Sequence, residues 1–347
     1  MLVVKREDQE EREYLALASD AARSRDSEGR LRSSDPDLLR NDFQRDRDKI
    51  LHTKSFRRLS HKTQVFLAAE GDHYRSRLTH TLEVSQIART ISRALALNED
   101  LTEAISLGHD LGHTPFGHTG EEAVAKSIAR HRGIPQDSPQ VESLYLHNEQ
   151  SLRVVDLIEN SGQGLNLTFE VRDGILRHTG EQRPETLEGR VVSVADRIAY
   201  VNHDIDDAIR AGVLCEGDLP ESTHRVLGPD HSSRIQTLVH DLVETSQLED
   251  DIRMSQPVWD AMMELRAFLH DHVYKSEVVM EEAEKAKRLI ECLFDYYVAN
   301  IDQVPEEYRL ICGGDDLRAV TDFVACMTDR FAKSQFQKIF LPNSIHY

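Results

Sequence analysis

The chain has 347 residues, of which 39% are hydrophobic, so it is long enough to bury one large core or two smaller ones. Its formal net charge of -19 argues against a general nucleic-acid binder or a protein of anionic membranes, because like charges repel. It shows no apolar run of 18 residues and no signal-peptide core, and its four scattered cysteines fit a reducing, cytoplasmic environment.

Helical periodicity dominates the chain, and we predict a mostly α fold. Strand signals are weak, and the best of them, Lys62–Leu67, would form one arm of a short hairpin. Turn residues mark loops at residues 23–36, 133–140 and 160–166. In chain order the predicted helices are Leu78–Leu97, Asn98–Leu111, Leu152–Glu159, Glu170–Leu176, Arg190–Ala211, Ser232–Thr245, Pro257–Lys275, Ser276–Asn300 and Asp315–Phe336.

The composition changes along the chain and predicts three parts. Residues 1–35 would be an N-terminal segment that is partly flexible, and residues 36–215 a motif-rich core. Residues 216–347 would be a plainer helical region that packs on this core. The boundary between the last two parts falls near Gly212–Pro220, where glycine and proline interrupt the helical pattern.

One segment departs from the acidic balance of the chain. Between Arg40 and Arg77 there are ten basic and five acidic residues. One interpretation is a solvated helix face whose charges pair at a spacing of three or four residues. The other is a local anion site, most naturally for phosphates.

His109 and Asp110 are adjacent within a stretch of mostly apolar or small residues. A buried polar pair must be satisfied, because unpaired charge is costly to bury, and a divalent cation is one good solution. His80 at the start of an amphipathic helix and Asp196 in an apolar stretch are two further candidates. Together they would make a mixed nitrogen and oxygen site, which suits Mn, Fe, Co, Ni, Mg or a catalytic Zn.

The residues that follow this pair predict a break in the helix and a tight turn. A histidine beside a carboxylate forms a general acid–base pair, because the carboxylate fixes the tautomer and raises the basicity of the ring. We therefore interpret His113, His118 and Glu121 as catalytic candidates, the alternative being a capped loop with solvated histidines. The residues that interrupt the helix are Gly112, Pro115, Gly117 and Gly120.

Three stretches together resemble the HD-domain deoxynucleoside triphosphate triphosphohydrolases, and the bacterial dGTPase-like proteins most closely. They are Arg77–His80 (RLTH), His109–Glu121 (HDLGHTPFGHTGE) and Ala195–Asp204 (ADRIAYVNHD). The resemblance extends over nearly the whole chain and implies an HD-type helical bundle core with additional C-terminal helices and at most a short hairpin. Cys326 departs from the family pattern, which has glycine there, and this departure bears on helix packing. Supporting stretches are residues 45–52, 56–59 and 322–329.

The resemblance also implies roles for individual residues. His118 and Glu121 would form the catalytic dyad. Without the resemblance, Tyr200 would be interpreted as a core aromatic residue and Asp204 as an exposed acid. The implied metal ligands are His80, His109, Asp110 and Asp196. The implied substrate contacts are Arg77, Arg197 at a phosphate, Gln64, Tyr200 and Asp204 at the deoxyribose, and His113 and His147 in the pocket lining.

The implied activity is metal-dependent hydrolysis of dGTP or several dNTPs to the deoxynucleoside and inorganic triphosphate. The cofactor would be a divalent metal ion, with Mn or Mg favoured over Co, Ni, Fe or Zn. The resemblance further implies a cytoplasmic homo-oligomer, preferably a hexamer, with a second dNTP as a candidate allosteric activator. We expect no membrane partner, and nucleic acid is not expected as a main partner.

Two other functions remain open at this point. The first is a different HD phosphohydrolase, acting on a nucleotide monophosphate, a cyclic nucleotide or an alarmone. The second is a protein that senses nucleotides or binds single-stranded nucleic acid and retains a residual metal site. The intact His118 and Glu121 argue against an inactive enzyme, and the acidity of the chain argues against a general nucleic-acid binder.

Overall fold

The computed structural model describes residues 3–64, 75–249 and 251–342, which are mostly helical, so the mostly α prediction is confirmed. None of the described helices is long and apolar enough to cross a bilayer. The predicted strand Lys62–Leu67 is represented by one isolated antiparallel bridge between Thr63 and Ser76, and its residues 65–67 lie outside the described residues.

The described residues contain seventeen α-helical segments, of which α8 is irregular because its backbone is left-handed at Asn160 and Ser161. In chain order the helices are α1 (Arg6–Ala16), α2 (Asp42–Leu51), α3 (Lys54–Arg58), α4 (Arg77–Ala94), α5 (Glu99–Gly108), α6 (Gly117–Arg132), α7 (His147–Arg153), α8 (Glu159–Gly162), α9 (Phe169–Arg177), α10 (Leu187–Arg210), α11 (Glu221–Leu227), α12 (His231–Glu249), α13 (Gln256–Leu269), α14 (Glu277–Ala299), α15 (Glu306–Ile311), α16 (Asp316–Ala325) and α17 (Asp329–Phe340).

The chain divides into two compact units, each made of three separate segments. Unit 1 comprises Met1–His52, Thr79–His109 and Asn166–Glu277. Unit 2 comprises Thr53–Leu78, Asp110–Leu165 and Val278–Tyr347. This interleaved arrangement differs from the linear order of the three predicted parts, whose limits stay a prediction. The N-terminal segment contains α1, and Glu13 at its end accepts a 2.7 Å hydrogen bond from the backbone of Ser24.

Two of the predicted helices differ from the structure in an informative way. The predicted helix Asp315–Phe336 is two helices, because the side chain of Thr328 caps the start of α17. The predicted helix Leu152–Glu159 is the end of α7 followed by a π-helical turn, Val154–Ile158.

In unit 1, α5, α9 and α10 pack closely because small residues allow their backbones to approach. A Cβ at Gly174 of α9 would lie 2.5 Å from the Cδ1 atom of Ile105 in α5. A Cβ at Gly108 would likewise lie 2.5 Å from Ile175 of α9. The apolar side of α10, which includes Val191, is fully buried. This packing holds the C-terminal end of α5, where His109 follows, in one position.

The start of α5 is held by a buried carboxylate. Asn98 caps the helix, with its side chain accepting hydrogen bonds from the backbone of Asp100 and Leu101. The Asn98 backbone N–H in turn donates a 2.8 Å hydrogen bond to Glu188, which is fully buried at the start of α10. Glu188 also accepts a 3.1 Å hydrogen bond from the backbone of Ala22.

The basic segment between Arg40 and Arg77 combines two kinds of environment. In α2, Arg47 forms an ion pair with Glu103 at 3.1 Å, and Arg45 forms one with Asp42, as expected of an ion-paired helix face. Lys62 and Arg77 are instead buried in unit 2. The ammonium group of Lys62 donates to the backbone carbonyls of His113 and Ala325, and burial lowers its pKa to about 8.

The core of unit 2 is formed mainly by α6, α14 and α16. Side chains such as Val124, Phe294 and Val320 are completely buried in one apolar cluster. Cys326, where the family pattern has glycine, belongs to this cluster and has an ordinary right-handed backbone conformation (φ -78°). No positive φ demands glycine there, so the cysteine is accommodated as a small core side chain.

The buried Glu188 should make unit 1 less stable at alkaline pH. Burial raises the pKa of its carboxyl from 4.5 to about 7, while the hydrogen bonds from Asn98 and Ala22 oppose the shift. The contribution of the protonated Glu188 carboxyl to the free energy of unfolding is therefore fully present below pH 4.5 and is lost as the pH rises through about 7. Glu188→Gln keeps an acceptor oxygen and cannot ionise. The difference in unfolding free energy between this variant and the wild type should grow in favour of the variant by on the order of 2–3 kcal/mol from pH 5 to pH 8.

Urea denaturation at both pH values measures this difference. Glu185→Gln, at a carboxylate that is 51% exposed, is the matched control and should show no such gain. Equal pH dependence of the Glu188→Gln variant and the wild type would show that Glu188 stays ionised in the folded protein.

Candidate active site

Three of the predicted metal ligands converge in unit 1. His80 lies in the first turn of α4, His109 directly after α5, and Asp196 in the middle of α10. The Nε2 atom of His80 lies 3.0 Å from Asp196 Oδ1, and the Nε2 atom of His109 lies 3.8 Å from the same oxygen. Both imidazole rings are buried, whereas the Asp196 side chain is 26% exposed.

The ring of His109 is oriented by the helix that precedes it. Its Nδ1 donates a 2.6 Å hydrogen bond to the backbone carbonyl of Ser106, since a carbonyl oxygen can only accept. In the neutral ring the proton therefore stays on Nδ1, and Nε2 keeps the lone pair that a metal ligand needs. This is the arrangement by which backbone carbonyls commonly position metal-binding histidines.

The chemistry of these donors fits a divalent cation. Two imidazole nitrogens and one carboxylate oxygen point at a common position in unit 1, and Asp110 is the next residue in the chain after His109. Imidazole combined with carboxylate suits first-row divalent metals, and it differs from the cysteine-rich shells of structural zinc. These residues are therefore positioned for metal binding, and Asp110 as a fourth ligand stays a prediction.

The residues predicted to form a turn after Asp110 are partly helical, because α6 already begins at Gly117. His118 and Glu121 consequently lie three residues apart on the first turn of a helix, where their side chains share one face. Gly120 lies within this helix. A Cβ at this position would fall 1.9 Å from the carbonyl oxygen of Pro115, so only glycine fits here. The break that the glycines predict is confined to residues 109–116.

In unit 2, Arg77 and Asp110 form a buried ion pair. The Arg77 Nη1 atom donates a 3.0 Å hydrogen bond to Asp110 Oδ2, and the two side chains are 2% and 5% exposed. The other oxygen of Asp110 lies 3.1 Å from Nε2 of His113. Gly117 leaves room for Arg77, since a Cβ there would fall 2.5 Å from its Nη2 atom. Asp110 is thus held from two sides.

Glu121 is the centre of a group of three histidines in unit 2. Its Oε1 atom contacts Nδ1 of His113, and its Oε2 atom lies 3.2 Å from Nδ1 of His147 and 3.4 Å from Nδ1 of His118. The rings of His113 and His147 are stacked with their centres 4.0 Å apart. The group is also compact enough to hold a metal ion, because its four ligand atoms lie within 4.8 Å of one another.

The charges in this group shift its pKa values in different directions. Burial alone would raise the pKa of Glu121, but the nearby imidazoles of His113, His147 and His118 hold it well below the usual value. The carboxylate of Glu121 in turn raises the pKa of His118, against the effect of desolvation. Burial lowers the pKa of His147. His118 is 69% exposed and is therefore the member that can reach a bound molecule.

Two of the predicted sugar contacts also come together in unit 1. Asp204 is 1% exposed, which excludes the alternative of an exposed acid, and it accepts a hydrogen bond from the hydroxyl of Tyr274. The Tyr200 and Tyr274 rings lie 6.0 Å apart and line a cavity of about 320 Å³ together with Arg266. Burial, and then the charge of Asp204, raise the pKa of the Tyr200 hydroxyl.

The remaining two predicted contacts are Arg197 in unit 1 and Gln64 in unit 2. Arg197 lies over the ring of Trp259, with 5.9 Å between its guanidinium carbon and the ring centre. Gln64 belongs to unit 2, where its backbone carbonyl oxygen would be 3.4 Å from a Cβ at Gly117. Their proposed roles at phosphate and sugar stay predictions.

Three residues near these groups, His178, Arg266 and Tyr274, were not predicted from the sequence. His178 is buried, its ring centre lies 5.1 Å from that of His109, and its Nδ1 donates to the carbonyl of Ile175. It follows α9 as His109 follows α5, so a histidine directly after an apolar helix was the available signal. Tyr274 and Arg266 gave no such signal, because they lie in a helix whose pattern is that of an ordinary amphipathic helix.

The chain is similar to known proteins over nearly its full length. The HD domain family matches residues 77–201, and the phosphohydrolase-associated domain family matches residues 252–338. A deoxyguanosinetriphosphate triphosphohydrolase-like protein of Caldanaerobacter subterraneus is 53% identical, with 97% of this chain and 96% of that protein covered. A protein of the same name from Desulfatibacillum aliphaticivorans is 48% identical, with 97% and 98% covered.

Among solved structures, a hypothetical protein from Aquifex aeolicus is 19% identical and gives a TM-score of 0.46, with 85% of this chain and 71% of that chain covered. The sequence relatives are far closer than this structure. Their identity and coverage confirm the resemblance that the histidine and aspartate motifs indicated. The chain belongs to the deoxyguanosinetriphosphate triphosphohydrolase-like proteins, a group of HD-domain phosphohydrolases.

Proposed function

We propose that this hydrolase cleaves deoxynucleoside triphosphates, dGTP or several dNTPs, into the deoxynucleoside and inorganic triphosphate. The observation that carries the proposal is the Glu121-centred histidine group of unit 2, because it supplies an exposed imidazole whose pKa is raised by a neighbouring carboxylate. The names of the relatives support the substrate class. The homologous motifs extend across both described units.

The metal would be held by His80, His109, Asp110 and Asp196, with Mn or Mg favoured. When bound, such an ion lowers the pKa of water from 15.7 toward about 7 and polarises a phosphoryl oxygen. His109 would present Nε2, because its Nδ1 proton is committed to Ser106. Arg77 would hold Asp110 in place through Nη1, and its remaining donors would be available to a phosphate.

His118 and Glu121 would act as the acid–base dyad. Glu121 raises the pKa of the His118 imidazole, which favours the protonated form that a general acid needs. With Nδ1 facing Glu121, the ring would donate its Nε2 proton to the leaving 5′ oxygen or assist the attack. His113 and His147 would keep Glu121 ionised and line the pocket.

The sugar would bind in the cavity of Tyr200 and Tyr274, with Asp204 accepting from the 3′-hydroxyl. Gln64 would share this hydroxyl, and Arg197 would meet a phosphate.

We also infer a cytoplasmic homo-oligomer, preferably a hexamer, in which the C-terminal helices take part, and we retain a second dNTP as a candidate activator. Light scattering that reports only 39.6 kDa would contradict the oligomer.

A product assay tests the proposal directly. The purified protein is incubated with each of the four dNTPs in the presence of Mn or Mg, and the products are separated by ion-exchange chromatography. Equal amounts of deoxynucleoside and inorganic triphosphate are expected. Release of pyrophosphate or of single phosphates, or hydrolysis of monophosphates and cyclic nucleotides alone, would assign the protein to a different class of HD phosphohydrolase.

The metal and the activity should be lost together. In His109→Ala or Asp110→Ala, the loss of one ligand from a site of few protein donors should remove most of the bound metal and reduce kcat below about one hundredth of wild type. Elemental analysis and a turnover assay measure the two quantities. His240→Ala, at an exposed histidine of α12, is the control and should retain both. An Asp110→Ala variant without metal but with full activity would contradict the assignment.

His118→Ala should retain the metal and lose turnover. General acid–base groups typically contribute about 10²–10⁴-fold to the rate, so kcat should fall by that factor while metal content stays at the wild-type level. His131→Ala is a matched control, because His131 lies on the same helix and also contacts a carboxylate, that of Asp295, at 2.9 Å. Wild-type turnover in His118→Ala would make this residue a structural part of the helix start.

The cavity around Tyr200 should discriminate against ribonucleotides. A close-fitting apolar wall rejects an added hydroxyl by about 10²-fold, and Tyr200→Ala should relax this preference by about tenfold in the ratio of kcat/KM for dGTP over GTP. Asp204→Ala should weaken all dNTPs alike. Tyr14→Ala, at a residue that is 44% exposed, is the control. Equal use of dGTP and GTP by the wild type would exclude this sugar pocket.

A further inference from the structure

The stretch 322–329 contains none of the residues to which a metal-binding, catalytic or substrate-binding role was given above. Its last residue, Asp329, is the first residue of α17 and is 6% exposed. A carboxylate that is buried to this extent needs hydrogen-bond donors. In unit 2 the donors come from two other segments of the chain, and one of these segments leads directly into the helix of the proposed catalytic dyad.

Each oxygen of the Asp329 carboxylate accepts hydrogen bonds from a different segment. The backbone N–H of Phe116 donates a 3.0 Å hydrogen bond to Oδ1. The backbone N–H and the hydroxyl of Thr63 donate to Oδ2, at 2.9 and 2.7 Å. Asp329 therefore joins the start of α17 both to Thr63 and to the residue that immediately precedes α6.

The backbone of Phe116 has an unfavourable conformation at the point where Asp329 holds it. Its φ of 63° and ψ of 22° are left-handed, which is uncommon for a residue with a bulky side chain. Such a conformation persists only where the surrounding structure determines it. Here Asp329 binds the N–H group, and the Phe116 ring is buried in the apolar core of unit 2, 5.8 Å from the ammonium group of Lys333. Two residues of α17 thus act on the residue before α6.

The conformation of Phe116 determines where the proposed dyad lies. His118 and Glu121 are the second and fifth residues of α6, so a shift of the helix start moves both side chains. The distance between His118 Nδ1 and Glu121 Oε2 is 3.4 Å, which is longer than a usual hydrogen bond. A small displacement of the helix start would therefore be enough to separate the two groups.

Lys62 holds the other end of the same short segment. Its side chain is buried, and its ammonium group donates to the backbone carbonyls of His113 and Ala325. Residues 113–116 are thus bound to the stretch 322–329 at both ends, by Lys62 at His113 and by Asp329 at Phe116. This attachment restrains the segment that leads from the predicted metal ligand Asp110 to α6.

We propose that Asp329 is a positioning residue for the acid–base dyad, because it fixes the start of α6 through the backbone N–H of Phe116. It acts through His118 and Glu121 rather than on the substrate itself. The inference rests on the function proposed above for these two residues. The alternative is that Asp329 only stabilises the start of α17, where a carboxylate is favoured by the helix dipole.

Steady-state kinetics separate positioning from simple stabilisation. With the dNTP that the wild type cleaves fastest, Asp329→Ala should lower kcat by about ten- to a hundredfold, because small misplacements of catalytic groups have effects of this size. KM and metal content should stay within about twofold of wild type. Asp329→Asn keeps an oxygen that can accept from Phe116, so its kcat should recover to within about threefold of wild type. Asp329→Ser, whose hydroxyl is one bond shorter, should behave as the alanine variant and replaces it if that variant does not fold.

Two further variants are matched controls. Asp315→Ala removes the side chain that caps α16, where it accepts a 2.9 Å hydrogen bond from the backbone of Arg318, so it destabilises another helix start in unit 2 and leaves Asp329 in place. Thr63→Val removes one donor to the Asp329 carboxylate and leaves the hydrogen bond from Phe116. Both variants should keep kcat within about twofold of wild type, because the start of α6 stays fixed.

Hydrogen exchange reports on the start of α6 without any substrate. Mass spectrometry of the full-length protein follows the backbone amides of residues 113–121. Loss of the charge-assisted hydrogen bond to Phe116 should speed exchange in this region by about tenfold in Asp329→Ala. Asp315→Ala should leave the exchange of this region unchanged.

Three outcomes would overturn the proposal. The first is unchanged exchange of residues 113–121 in Asp329→Ala, whatever the activity, and the second is faster exchange with wild-type kcat. The third is an equal fall of kcat in Asp315→Ala, because the loss would then follow stability alone. Failure of the proposed function is distinguishable from these outcomes. The wild type itself would then release no triphosphate from any dNTP, and the exchange result would still decide whether Asp329 fixes the start of α6.

Discussion

The carboxylate of Glu121 is the interaction on which the proposed chemistry depends. It lies within a mostly buried group, where an isolated charge would be costly, and three imidazole rings compensate for it. This compensation has a direct consequence for His118, whose pKa it raises while leaving the ring exposed. One carboxylate thus both contacts the ring and favours its protonated form. His113 extends the network from Glu121 to Asp110.

The same residues are held in place by close backbone packing as much as by hydrogen bonds. A Cβ at Gly112 would fall 2.2 Å from the backbone nitrogen of Ser151, so only glycine allows α7 to approach the loop that follows Asp110. Tyr145 donates a hydrogen bond of 2.6 Å to the carbonyl of Gly112, and Asp329 accepts one from the backbone of Phe116. Glycines that looked like helix breakers are therefore required mainly by packing.

Much of the helical arrangement was predictable, since amphipathic periodicity is local information. The convergence of His80, His109 and Asp196 was also predictable, because polar residues in apolar stretches need partners, and their role as metal ligands stays a prediction. The start of α6 was not, since Gly117 and Gly120 locally disfavour a helix. The close approach of Arg77 to Gly117 and of Pro115 to Gly120 explains them, and this packing cannot be read from the sequence. Tyr274 was missed for a related reason. Its hydroxyl reaches Asp204, which is seventy residues away in the chain, and periodicity carries no information about such a contact.

Charge distribution separates the two kinds of arginine in this acidic protein. Arg77 is buried and paired with Asp110, so part of its charge compensates a buried carboxylate. Arg183 and Arg253 are exposed at the surface of unit 1 and share the carboxylate of Asp251, and Arg253 also lies 3.6 Å from Glu249. A net charge of -19 repels anionic nucleotides at long range, and this repulsion is screened beyond about 10 Å at moderate salt. Local guanidinium groups can therefore attract an anion although the net charge of the chain is negative.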